Sequence, residues 1–231
     1  YDGYILSHTV EPVDCPEQAD VDAFLPKYNY PYPLDPEKPV TIGAVGVPEY
    51  YTEFRYLLNK AVNDSIAKIA EVDREFKKRF GRGYGVLERY YSDDAEVIIL
   101  TMGSLSSSSK DIVDSCRKRG EKVGLVKLKS FRPFPVKELI DAIGHAKAVA
   151  VLEKDISLGH AGGLFLDTAA SFVNVEHEPI MMNFICGLGG RDVTSHQLEQ
   201  AVSEAREAAE TGKVEERVRW LGLQEKLVEG D

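Results

Sequence analysis

Long apolar runs are missing from this chain: no stretch approaches the roughly 20 residues that cross a bilayer, so a membrane span is not expected. Cysteine is scarce. Cys15, Cys116 and Cys186 are far apart, odd in number and never spaced C-x-x-C, which leaves no basis for a disulfide framework or a self-contained zinc or iron–sulfur site. A reducing, cytoplasmic setting is expected. Positive charge is also short, with 28 Lys and Arg against 38 Asp and Glu. The resulting net charge of −10 and pI near 5.1 disfavour the phosphate-neutralising surfaces that nucleic-acid binders need. Cofactor fingerprints are absent as well: no G-x-G-x-x-G after a strand, no Walker lysine, no G-x-S-x-G elbow. His8, His145, His160, His177 and His196 show no metal-ligand spacing.

What is present is an alternation of short apolar runs and amphipathic segments between Asp94 and Glu210. Val97–Leu100 is a continuous β-branched run, as suits a parallel strand covered on both faces. Thr101-Met102-Gly103-Ser104 ends it, and Ser106 to Ser109 are expected to cap a helix carrying Ile112, Val113 and Cys116 at helical spacing. Gly120 stands at the expected left-handed C-cap. Further strands are expected over 123–128, 148–152 and 180–186. Helices are expected over 136–143 and 164–170, and over 197–209 with Thr194 or Ser195 as its cap. The order predicts an α/β fold, an open, mostly parallel sheet with helices on both faces and right-handed crossovers.

The first part of the chain is of another kind. Tyr4-Ile5-Leu6 reads as a strand without a partner nearby. Eight of the eleven prolines lie between Pro12 and Pro48, with Phe24, Tyr28, Tyr30 and Tyr32 among them. Proline excludes helix interiors, so this segment reads as an extended arm docked on some surface, of this domain or another. From Pro48 to Phe80 apolar residues keep a 3.6 period, as one long helix or two short ones, stopped by Gly81-Arg82-Gly83-Tyr84-Gly85. The expected organisation is a remnant strand over 1–12, a connector arm over 13–47, a helical segment over 48–93, the α/β domain over 94–212 and a charged helix over 213–231.

Ligands of open α/β sheets meet the loops at the carboxyl ends of the strands. Those loops hold the candidate ligand- or partner-facing residues: Gly103, Ser104 and Ser106; Gly159, His160, Gly162 and Gly163; and Gly189, Arg191 and Asp192. Gly103-Ser104 before a helix could cradle an anion, or simply cap it. Glu153 and Asp155 at a strand end could form an acid/base pair, or be solvated loop acids. Arg191 and Asp192 could pair with each other or with another chain. No catalytic or metal-binding residue emerges.

Several of these stretches, in this order, resemble the alpha subunit of pyruvate:ferredoxin oxidoreductase (pyruvate synthase): YDGYILSHTVEPV, VDAFLP, FGRGYG, DAEVIILTMGS, KVGLVKLKSFRPFP and ICGLGGRDVT. The resemblance implies the later part of that subunit, with a domain like the carboxy-terminal domain of transketolase. It implies oxidative decarboxylation of pyruvate with coenzyme A to acetyl-CoA and CO2, electrons passing to ferredoxin, or the reverse. Thiamine diphosphate, Mg and [4Fe-4S] clusters are implied for the whole enzyme, none held by this chain alone. The implied partners are the other subunits and, through them, ferredoxin, with no nucleic acid and no membrane. The part played by this chain would be structural. The alternative is a module binding an anionic ligand such as coenzyme A without catalysis.

Overall fold

The computed structural model describes residues 8, 10–43 and 45–228, so the expected Tyr4-Ile5-Leu6 strand lies outside the described residues. The chain divides into two compact units, one running Glu11–Gly83 and the other taking Tyr84 onward.

The first unit holds helix α1 (Gln18–Phe24) and helix α2 (Pro48–Phe80), a single helix of 33 residues. Pro48 opens α2 with φ already set for a helix, and Gly81, at φ +74°, closes it by donating its N–H to the Lys77 carbonyl. Phe24 packs edge-on against Phe76 and Phe80, 5.6 Å from each, and Arg79 pairs with Asp20 at 3.0 Å. No described residue before Ser92 is buried.

The second unit is a six-stranded sheet in the order β1-β3-β2-β4-β5-β6. Its strands are β1 (Leu87–Tyr90), β2 (Val97–Met102), β3 (Val123–Leu128), β4 (Ala148–Glu153), β5 (Ile180–Ile185) and β6 (Val218–Trp220). All pairs are parallel except β1 with β3. Helices α3 (Leu105–Lys118), α4 (Val136–Ile143), α5 (Gly163–Ser171) and α6 (Ser195–Thr211) join successive parallel strands. Side chains alternate across the sheet, which is why the central runs are apolar throughout. Ile99, Leu125 and Ala150 pack with α3 and α6 on one face, while Ile98, Val126 and Val149 pack with α4 and α5 on the other.

The expected open, mostly parallel sheet with helices on both faces is present, with three corrections. Residues 84–93 do not extend the helical segment: β1 joins the sheet as its antiparallel edge, fastened by Glu88, which pairs with Lys110 on α3 and Lys129 after β3 at 2.5 and 3.0 Å. The described part of the expected 213–231 helix, residues 213–228, is not one charged helix. Gly212 ends α6 at φ +68°, Val218–Trp220 cover the open edge of β5, and among the described residues only Glu225–Val228 forms a further short helix, α7. Finally, β2-α3-β3 and β5-α6-β6 step in opposite directions across the sheet with both helices on one face. They are therefore of opposite hand, and not every crossover shares the usual one.

Candidate functional site

Two neighbouring strands, β2 and β4, send their chains to opposite faces of the sheet: β2 into α3, β4 towards α5. In open α/β sheets, ligands meet the chain where it diverges in this way, at the carboxyl ends of the two strands. Thr101 ties the two strand ends, donating its hydroxyl to the Leu152 carbonyl at 2.7 Å. Lys154, the residue after β4, reaches Ser104 at the start of α3, Nζ to Oγ 3.3 Å. Gly187, after β5, lies against the same lysine, since a Cβ there would stand 2.9 Å from Lys154 Cε. Ser104, Lys154 and Gly187 thus bring three strand ends together.

The serines that follow do not cap α3. Ser106 donates its hydroxyl back to the Gly103 carbonyl at 2.6 Å and Ser109 to the Leu105 carbonyl at 2.8 Å, while Ser104 makes no side-chain cap. Inside the first turns a serine hydroxyl finds a carbonyl behind it more readily than a free N–H ahead. The expectation that Ser106 to Ser109 act as caps fails for that reason.

Glu153 is the centre of the next loop. It is 4% exposed, and its carboxylate accepts the N–H groups of Leu164 (2.8 Å) and Phe165 (3.1 Å) at the amino end of α5, together with the Asn183 amide at 2.7 Å. Asn183, in the middle of β5, returns its oxygen to the Gly162 N–H at 2.8 Å. Asp155 accepts from the Gly163 N–H at 3.2 Å. Burial raises the Glu153 carboxyl above the ordinary range against the pull of these donors. The two acids therefore hold the glycine loop onto the strands rather than facing one another across a substrate. Gly162 has to be glycine because a Cβ there would overlap the Glu153 carboxyl group.

The remaining candidates scatter. Gly159, at φ +84°, and His160 form the exposed tip of the β4–α5 loop. Gly189, at φ +65°, lies in a short 3-10 turn, Leu188–Gly190, and Arg191 donates to the Gly222 carbonyl at 2.7 Å, tying this loop to the segment after β6. Asp192 is exposed beside it. Lys154 and Asn183 were missed in the sequence; a lone Asn within the apolar run IMMNFI is the signal that would have found the latter, because a buried amide needs partners.

Two family models match the chain, one ending before Gly83 and the other beginning after it. A model of the pyruvate flavodoxin/ferredoxin oxidoreductase thiamine diphosphate-binding family matches residues 1–74, and one of pyruvate:ferredoxin oxidoreductase core domain II matches 95–198. Pyruvate synthase subunit PorA of Pyrococcus abyssi is 47% identical over 232 residues, covering 99% of this chain and 58% of the relative. The ketoisovalerate oxidoreductase subunit VorA of the same organism is 41% identical over 222 residues, covering 95% of this chain and 56% of that one. The chain thus spans somewhat more than half the length of the curated relatives it matches. Among solved structures, a 2-oxoglutarate:ferredoxin oxidoreductase from Magnetococcus marinus aligns at 22% identity with a TM-score of 0.41, covering 61% of this chain and 23% of that one.

Among the described residues the one buried carboxylate, Glu153, has both oxygens engaged by donors of its own chain, and no three His, Cys, Asp or Glu side chains are grouped to hold a metal ion.

Proposed function

Because the chain belongs to the pyruvate:ferredoxin oxidoreductase family, we propose that it is the later part of the alpha subunit of an enzyme that joins pyruvate and coenzyme A to acetyl-CoA and CO2, passing electrons to ferredoxin, or runs in reverse. The observation that carries this is the run of two family matches, in order, within a 47% identity that covers 99% of the chain. Pyruvate is preferred over a branched 2-oxoacid on the higher identity to the pyruvate synthase subunit, 47% against 41% within one organism.

The role of this chain is assembly. Its strand-end acids are spent on holding α5, so the reaction draws its acid, metal and cofactor from other parts of the enzyme. Thiamine diphosphate with Mg, and the [4Fe-4S] clusters, belong to those parts, and ferredoxin docks on them. The acidic net charge of −10 suits an assembly in the cytoplasm.

Affinity purification of the tagged chain from its native host, followed by mass spectrometry, tests this. Thiamine-binding and cluster-binding polypeptides are expected in stoichiometric amounts. Recovery of the chain alone, under conditions that preserve complexes, would contradict the proposal.

A further inference from the structure

Helix α2 is long and uncovered. None of its 33 residues is buried, yet Tyr50, Tyr51, Phe54, Tyr56, Leu57 and Leu58 stand within its first turns, and the best covered of them, Phe54, is still 43% exposed. Except for Tyr56 they share one face at helical spacing. At about 150–250 Å² for a large side chain, the five half-exposed ones on that face leave roughly 500 Å² of mainly apolar surface. That is more than half of the ~800 Å² per partner of a standard interface and matches the size of the largest patch on a typical monomer, about 300–600 Å², which is often functional.

The later turns of α2 are partly covered by α1 through Phe24, Phe76 and Phe80, whereas 48–60 are exposed throughout. Alone, the unit cannot offset the entropy of ordering it, because it lacks a core. Residues 48–74 of α2 also fall inside the match to the thiamine diphosphate-binding family, which ends at 74. Nothing described between residues 8 and 83 covers these side chains. The longer relatives contain sequence beyond the matched part.

We propose that the first four turns of α2 dock, through Phe54, Leu57 and Leu58, on the body of a thiamine diphosphate-binding domain of this family. The inference rests on the family reading above and names the surface that joins this chain to the cofactor-bearing part. Whether that body is carried on the same polypeptide or another does not alter the surface.

The test is a cross-link in the assembled enzyme. Leu57→Cys is introduced with Cys15→Ser, which removes the exposed one of the three native thiols, and a short thiol-to-amine reagent is applied. Adducts are expected to map to the thiamine diphosphate-binding domain. As a second readout, amides of 49–61 should exchange ~100-fold more slowly in the assembly than in the chain alone. Adducts to a cluster-binding subunit or to a second copy of this chain overturn the proposal, as does unchanged exchange in an intact assembly; both outcomes leave the family reading standing. Failure of the unaltered chain to enter any assembly overturns that reading, and this proposal with it.

Discussion

The Glu153 carboxylate occupies the space into which a side chain at Gly162 would project, while accepting the Leu164 and Phe165 N–H groups that begin α5. Gly162→Ala should therefore destabilise the sheet unit by about 1–3 kcal/mol through overpacking. In a Glu153→Ala background most of that cost should vanish, because the space is free. A double-mutant cycle by chemical denaturation checks this, and additive effects would show that the two residues do not compete for one volume.

Glu88 and Glu153 should respond to acid with opposite signs. Lys110 and Lys129 hold the Glu88 carboxyl down at about 2, from an ordinary 4.5. Its contribution is thus present above pH 4.5 and lost as the pH falls towards 2. Because Glu88 remains partly exposed, the contribution is about 1 kcal/mol. Glu88→Gln should lower stability by that amount at pH 7, and the difference from the unaltered chain should close on acidification. For Glu153, whose folded value is raised, the stabilising share is full below 4.5 and falls as the pH rises through the folded value. Denaturation curves of the two Gln variants across pH 3–8 compare them.

Burial pushes the Cys116 and Cys186 thiols up to about 11, so neither supplies thiolate near neutrality, and Cys15 is exposed. A thiol reagent at pH 8 should titrate one fast equivalent, and two more only on unfolding. Rapid reaction of three would mean that the sheet unit opens readily.

Among the described residues all the buried hydrophobic side chains lie at Ala95 or beyond, so residues 84–228 should fold on their own. Limited proteolysis of the chain should cut first within 11–83 and leave a resistant sheet unit. Equal sensitivity of both parts would contradict this.

The sheet was legible because buried parallel strands are marked by continuous apolar runs: 123–128 and the helix at 136–143 coincide with the observed elements. The edge strands were not. Leu87-Glu88-Arg89-Tyr90 and Val218-Arg219-Trp220 carry charges in their middles, and what makes them strands is an open edge next to them rather than their own pattern. Candidate loops were found by fold logic, but their contents depended on long-range partners. Ser106 turns back to Gly103, Arg191 reaches Gly222, and Glu153 turns away from solvent to Leu164, Phe165 and Asn183. Sequence spacing carries none of those directions.

The central claim, that this chain completes a pyruvate:ferredoxin oxidoreductase, is tested most directly by activity of the assembly with and without it. Pyruvate- and coenzyme A-dependent reduction of ferredoxin should be lost when the chain is depleted and return when it is added back. Undiminished, coenzyme A-dependent reduction by the depleted enzyme would contradict the account.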